Sequence, residues 1–164
     1  MNAVARADLR LYRLVRSAAT PPASDVVRRF SSLGEHAALW LALGAAGALL
    51  DGGPERRARW RRGAAVVATT YVANTAIKAV FRRRRPIIDG LPALIGTPTA
   101  LSFPSAHASS SFAAARAYAG LLPTGPLYVT AAAMAASRVY LGVHYPSDVA
   151  AGALLGLLIG GVAR

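Results

Sequence analysis

The sequence predicts an all-α fold, a multi-pass bundle of about five membrane-spanning helices preceded by an N-terminal amphipathic helix on the membrane surface. Three observations predict it. Of 164 residues, 54% are hydrophobic and only 16% charged, with a mean hydropathy of +0.38, more apolar than an ordinary soluble domain of this size. The apolar residues fall into long runs with no polar stripe at helical period, which a soluble surface helix would show. The arginines sit at the ends of those runs, where lipid headgroup phosphates would meet them. The length suits a single domain over 1–164, with 1–34 as the amphipathic surface region and 63–164 as the catalytic core.

Charge and cysteine content exclude several classes. The 19 basic residues against 7 acidic ones give a net charge of +12, and Lys78 is the one lysine. Such basicity can mean nucleic acid, but only 7% of residues are aromatic and no extended aromatic-and-basic interleaving appears, so nucleic-acid binding is not expected. The chain has no cysteine, which excludes disulfides and thiolate metal sites.

Residues 1–18 place Arg6, Arg10, Arg13 and Arg16 against Leu9, Leu11, Leu14 and Val15, the pattern of a basic and an apolar helix face. No small-residue cleavage site follows an apolar core, so a signal peptide is not expected. Thr20-Pro21-Pro22 should end that helix, and Ser24 and Asp25 should cap a second one carrying Arg28 and Arg29. Apolar runs follow at His36–Leu50, Gly63–Val80, Phe103–Leu122, Leu127–Leu141 and Val149–Ala163. Several are about 15 residues long, against the ~20 an isolated span needs, and reach further once flanking turns are counted. They are rich in Ala and Gly, which let membrane helices approach closely. Between them, Asp51–Arg62 reads as a polar linker, Pro123–Pro126 as a tight turn, and Phe81–Ser102 as a long irregular loop with functional residues.

Alternating spans bring four run ends to one membrane face: the end of the second and fourth runs and the start of the third and fifth. The groups there are Lys78, Arg82–Arg85, Ser105, His107, Arg138, His144 and Asp148. In Ser137–Asp148, Pro146 suits the first residue of a helix, which puts Asp148 in the first turn with its carboxylate turned back towards His144. A carboxylate holding one ring nitrogen makes the other a base or nucleophile. Arg138 could hold a phosphate with its fork of donors. In Lys78–Pro86, Lys78 follows an apolar turn and must snorkel or meet an anion. Arg82, Arg83 and Arg84 read as a solvated or headgroup-facing run. In Phe103–His107, free amides after Pro104 and the Ser105 hydroxyl make an anion cradle at a helix start.

Together these stretches resemble the type 2 phosphatidic acid phosphatase (PAP2) superfamily of membrane lipid phosphatases. The family pattern K-x6-R-P reads here Lys78 to Arg85-Pro86. P-S-x-H reads Pro104-Ser105-Ala106-His107, and S-R-x5-H-x3-D reads Ser137-Arg138 to His144 and Asp148. The resemblance implies His144 as nucleophile through a phosphohistidine, Asp148 as its orienting partner and His107 as general acid. It implies that Lys78, Arg85, Ser105, Ala106 and Arg138 bind the phosphoryl oxygens, with no metal and no cofactor. Ala106 departs from the glycine usual at that position, which narrows the approach to its amide. Haloperoxidases share the motifs and bind vanadate, but they are soluble, and the apolar runs favour the phosphatase branch.

The expected substrate is a phosphomonoester or diphosphate on a polyprenyl or glycerolipid carrier. Size and composition are similar to compact actinobacterial members, some of which act on decaprenylphosphoryl-5-phosphoribose in cell-wall arabinan synthesis. The expected location is the cytoplasmic membrane. The arginines preceding the first span and those of Asp51–Arg62 nearly balance, so the positive-inside rule does not choose the face of the site. Two other readings are a non-catalytic protein that binds anionic lipid headgroups, and a His/His/Asp metal site. The second is disfavoured because the surrounding cations would repel a divalent ion.

Overall fold

The computed structural model describes residues 2–163, which are helical with no strands apart from two isolated bridges. The helices are α1 (Ala3–Ser17), α2 (Pro21–Ser32), α3 (Ala38–Leu50), α4 (Pro54–Phe81), α5 (Ala106–Ala117), α6 (Thr124–Tyr140) and α7 (Pro146–Gly160). A 3-10 turn, Glu35–Ala37, joins α2 to α3, and another, Gly161–Ala163, follows α7. α5 is the central helix and touches α3, α4, α6 and α7. Its sequence of Ala and Ser explains this: eight of its residues, from Ala108 to Ala117, are buried, and small side chains let neighbours close in.

The closest approach is between α5 and α7. Gly152, Gly156 and Gly160 stand one turn apart on α7, facing the α5 backbone. A Cβ on Gly152 would meet the Ser105 carbonyl at 2.5 Å, one on Gly160 the Ala113 carbonyl at 2.8 Å, and one on Gly156 would collide with the Ser109 carbonyl. The apolar core lies towards the other end of the bundle, where Trp40, Trp60, Val67, Ala114, Tyr118 and Leu127 are buried together. Outward-facing side chains such as Leu50, Val80, Val129 and Leu158 are exposed and apolar.

Among the described residues, α4 alone is long and apolar enough to cross a membrane. α2 and the Glu35–Leu50 segment pass the same test as a pair, bent by 46°.

Four boundaries differ from expectation. α1 ends at Ser17, ahead of Thr20-Pro21-Pro22 as expected, but the prolines also open α2, with Thr20 as N-cap and Ser24 and Asp25 inside the helix. Proline is as compatible with a first helical turn as with a break. Asp51–Arg62 is no linker beyond Gly53: α4 starts at Pro54 and runs through the arginines, which are good helix formers. α5 ends at Ala117 rather than Leu122, and Thr124–Pro126 forms the first turn of α6 rather than a separate turn.

α1 also departs from a simple surface helix. It does expose Leu11 and Leu14 beside Arg10 and Arg13. Its opposite face, however, buries Asp8, Tyr12 and Arg16, spaced four residues apart, against the bundle. The Tyr12 hydroxyl donates to the Gly142 carbonyl at 3.2 Å, and Arg16 Nη2 to the Pro92 carbonyl at 2.7 Å.

Candidate active site

The end of α4, the start of α5, the end of α6 and the start of α7 meet at one end of the bundle. There Lys78, Arg85, Ala106, His107, Arg138 and His144 line a cavity of about 380 Å3. Its remaining wall comes from Glu35, His36, Tyr71, Thr75, Gly96, Pro98 and Thr99.

Proline 146 is the first residue of α7, and Asp148 closes a capping box by accepting from the Tyr145 amide at 2.8 Å. The other oxygen of Asp148 accepts from Arg83 Nη1 at 2.8 Å. Asp148 Oδ2 stands 3.6 Å from His144 Nδ1, facing it but beyond a hydrogen bond. Both side chains are buried, and His144 Nδ1 has no closer partner.

His144 Nε2 lies 3.1 Å from Arg85 Nη1. A guanidinium only donates, so Nε2 is the unprotonated nitrogen and the ring hydrogen lies on Nδ1, towards Asp148. Burial, followed by the charges of Arg85, Lys78 and Arg138, holds the imidazole well below the ordinary histidine value. The site therefore presents a neutral ring with its lone pair beside a cation.

The cations are held by neutral groups. Lys78 Nζ reaches the carbonyls of Ser102 at 3.2 Å and Leu101 at 3.4 Å. Arg85 donates to the carbonyls of Val143 and Thr99, each at 2.8 Å. Arg138 Nη1 donates to the Ser31 hydroxyl at 2.6 Å, and its Nε is buried without a partner. Among the described residues, Lys78, Arg85 and Arg138 form no ion pair. Three buried or half-buried cations around one cavity, none in an ion pair, with Glu35 the single carboxylate in the lining, suit an anion.

His107, in the first turn of α5, has Nε2 3.2 Å from the Ser31 carbonyl, so that nitrogen carries the hydrogen. Among the described residues, the amides of Ala106 and His107 have no acceptor. They are the free donors expected at this helix start. Ser105 sits differently from expectation. It does not line the cavity. Its amide donates to the Asp148 carbonyl at 2.9 Å, and its hydroxyl caps α5 by accepting from the Ala108 amide. It ties α5 to α7.

The solvated reading of Arg83 is also corrected. Arg83 bridges Asp148 and Asp8, each at 2.8 Å, and lies 4.2 Å from the centre of the Tyr145 ring. A run of four arginines conceals this, because only the fold shows which one turns inward. Ser31, Glu35, His36 and Asp8 were not singled out either. They lie outside the motif stretches, and no local spacing marks them.

A family model described as "PAP2 superfamily" matches residues 62–164. Decaprenylphosphoryl-5-phosphoribose phosphatase of Mycolicibacterium smegmatis is 44% identical over 125 residues, 76% of this chain and 68% of that protein. Its namesake in Mycobacterium tuberculosis is 42% identical over 139 residues, 82% of this chain and 75% of that protein. Among solved structures, Aquifex aeolicus LpxE superposes with a TM-score of 0.79 at 24% identity, over 94% of this chain and 93% of that one. A PAP2-type phosphatidylglycerolphosphate phosphatase from Bacillus subtilis gives 0.74 at 26%, over 99% and 85%. A family match over more than half the chain, relatives above two-fifths identity and the same helical architecture agree: the chain belongs to the PAP2 superfamily and is a phosphatase.

Proposed function

We propose that this phosphatase removes a terminal phosphate from a hydroxyl-bearing headgroup on a membrane lipid, of the decaprenylphosphoryl-5-phosphoribose type, through a phosphohistidine on His144. The observation that carries the proposal is the cluster of Lys78, Arg85 and Arg138, unpaired with any carboxylate, around the unprotonated Nε2 of a buried histidine. Phosphoryl transfer needs an in-line nucleophile and fixed positive charge on the equatorial oxygens.

In the first step, His144 Nε2 forms a bond to phosphorus as the P–O bond to the headgroup breaks. The three cations and the amides of Ala106 and His107 stabilise the phosphoryl oxygens. His107 takes up a second proton, on Nδ1, as the phosphate binds beside it, and gives that proton to the leaving alkoxide while its Nε2–H stays on the Ser31 carbonyl. Asp148 offsets the positive charge that develops on the phosphorylated ring. In the second step, water gives its proton to His107 and attacks phosphorus, the P–N bond breaks, and inorganic phosphate leaves.

The far wall of the cavity supports a hydroxylated headgroup. His36 Nδ1 and the Tyr71 hydroxyl are 2.9 Å apart, and Thr75 and Glu35 lie beside them. Such groups hydrogen-bond to sugar hydroxyls. Glu35 is the one carboxylate in the lining, and it would repel a phosphate bonded directly to the first, which favours a terminal monophosphate over a diphosphate. The relatives named for decaprenylphosphoryl-5-phosphoribose support the same choice.

We read α3 to α7 as five crossings of the cytoplasmic membrane, with α1 and α2 on the side of the site. The exposed apolar faces support this reading.

The test is phosphate release from a panel comprising a polyprenyl phosphoribose 5-phosphate, phosphatidate and a polyprenyl diphosphate, in EDTA, with and without orthovanadate. Fastest turnover on the first, inhibition by vanadate, and loss of several orders of magnitude in His144→Ala are expected. Turnover that vanishes in EDTA and returns with a divalent ion would overturn the metal-free mechanism. Near-normal turnover in His144→Ala would overturn the nucleophile.

A further inference from the structure

The family match begins at residue 62, yet a buried carboxylate from the first helix reaches the same site. Asp8, on α1, is 3% exposed and makes three hydrogen bonds. Its Oδ2 accepts from Arg83 Nη2 at 2.8 Å and from the Ser147 hydroxyl at 2.6 Å. Its Oδ1 accepts from the Ser147 amide, in the first turn of α7, at 2.8 Å. Arg83 Nη1 in turn donates to Asp148 Oδ1, and Asp148 Oδ2 faces His144. Burial alone would raise the Asp8 carboxyl, but the hydrogen bonds from Arg83 and Ser147 outweigh it and hold the group below the usual carboxylate range.

We propose that Asp8 is a positioning residue of this site, which through Arg83 and Ser147 sets the carboxylate of Asp148 against His144. The proposal rests on the roles given above to His144 and Asp148.

The physical reason is charge sharing. A guanidinium paired with Asp148 alone would neutralise it and weaken its hold on the positive charge that forms on phosphorylated His144. Arg83 instead divides its two nitrogens between two carboxylates, so Asp148 keeps part of its charge. Asp8 also fixes the first turn of α7 through the Ser147 amide, one residue before Asp148. An anion at a helix N-terminus is favourable in its own right. Removing the Asp8 charge should leave substrate binding in place and slow the chemistry, because none of its three bonds reaches the cavity lining.

A helix that is merely docked makes a different prediction. Tyr12, on the same face of α1, holds the neighbouring loop through the Gly142 carbonyl, and its hydroxyl makes no hydrogen bond to a carboxylate. It is the matched control.

The experiment is a double-mutant cycle in the full chain, purified in detergent, read by single-turnover phosphoenzyme formation and by steady-state kcat and KM. Asp8→Asn should lower kcat by roughly 10–100-fold, the usual cost of losing an outer-shell partner, with KM nearly unchanged. Tyr12→Phe should lower it far less. In an Asp148→Asn background, Asp8→Asn should add little, since the group it positions is already altered. Losses that multiply in the double variant, or equal losses in Asp8→Asn and Tyr12→Phe, would overturn the proposal and reduce Asp8 to a docking contact. If Asp148→Asn itself were fully active, the role of Asp148 would fall and the proposal with it, a pattern distinct from multiplying losses. Should Asp8→Asn not fold, Asp8→Ser takes its place in the cycle: it can still bond Ser147 but offers Arg83 no charge.

Discussion

As the proposed nucleophile, His144 has to be neutral to attack phosphorus, and its surroundings keep it so. Burial comes first and the charges of Arg85, Lys78 and Arg138 follow, all pushing the ring below the ordinary value of about 6.5. The sign is that of a group depressed in the folded state: the ring stays unprotonated as pH falls through the ordinary histidine range. The rate of phosphoenzyme formation should therefore show no acid limb at that range. In Arg85→Gln, which removes one of the opposing charges, the limb should move up towards it. A wild-type limb at the ordinary histidine value would contradict this. Stability should respond as well. Below the ordinary value the unfolded chain takes up a proton that folded His144 refuses, so the wild type should lose stability there as pH falls. Ser31 offers a second residue-level test, because its hydroxyl holds Arg138 while its carbonyl holds His107. Ser31→Ala keeps the carbonyl and frees Arg138. A hydrogen bond to a charged group contributes about 1.5–3 kcal/mol, so vanadate inhibition should weaken by roughly 10–100-fold, as read from inhibition constants. At this scale the sequence showed much. His107, His144, Asp148, Arg138, Lys78 and Arg85 declare themselves because each lies at fixed spacing within a short stretch. Asp8 and Ser147 do not, because 139 residues separate them and only the docking of α1 joins them.

At the scale of elements, the α5–α7 contact sets the distance between the two histidines. His107 starts α5, and His144 directly precedes α7, so any change in how these helices close moves one ring against the other. Ser105 pins the two helices at the site end through the Asp148 carbonyl, and the glycine row continues the contact away from it. Gly156→Val would place side-chain carbons against the Ser109 carbonyl and the Ala113 amide. Overpacking of this kind costs typically about 1–3 kcal/mol, so the variant should melt earlier in detergent and lose kcat along with stability. A variant as stable and as active as the wild type would show that α7 is free to stand off from α5. The glycine content of this helix and the helix-starting role of Pro146 were both legible. The starts of α2 and α4 were not. Proline serves equally at a helix start and at a stop, and an arginine-rich stretch is polar whether it is coil or helix.

For the molecule as a whole, the way the bundle sits in the membrane decides from which side the lipid phosphate arrives. The site end gathers α1, the loop between α4 and α5, and the turn between α6 and α7. The turns between α3 and α4 and between α5 and α6 lie at the other end, where Trp60 Nε1 donates to Asp51 at 3.1 Å and Arg56 to the Leu121 carbonyl at 3.2 Å. If α3 to α7 each cross the bilayer, Asn2 and Asp89 face one side, and Gly52 and Gly125 the other. The absence of cysteine makes this directly measurable, since a single introduced thiol is the only one that can react. Asp89 is exposed, and Gly52 and Gly125 have open space where a Cβ would go, so cysteines at these positions should disturb little. In right-side-out vesicles, an impermeant maleimide should label Asn2→Cys and Asp89→Cys together, or Gly52→Cys and Gly125→Cys together, with the other pair protected until detergent is added. Helix lengths alone could not decide this, because only α4 reaches the length of an independent span. To cross, the shorter helices would have to rely on neighbours and on a locally thinner bilayer. Labelling of Asp89→Cys and Gly52→Cys from the same side would mean that α4, the longest helix, does not cross, and the bundle would have to lie against the membrane rather than through it. Labelling of the two pairs from opposite sides would establish that α3, α4 and α5 cross and name the face from which the substrate phosphate enters.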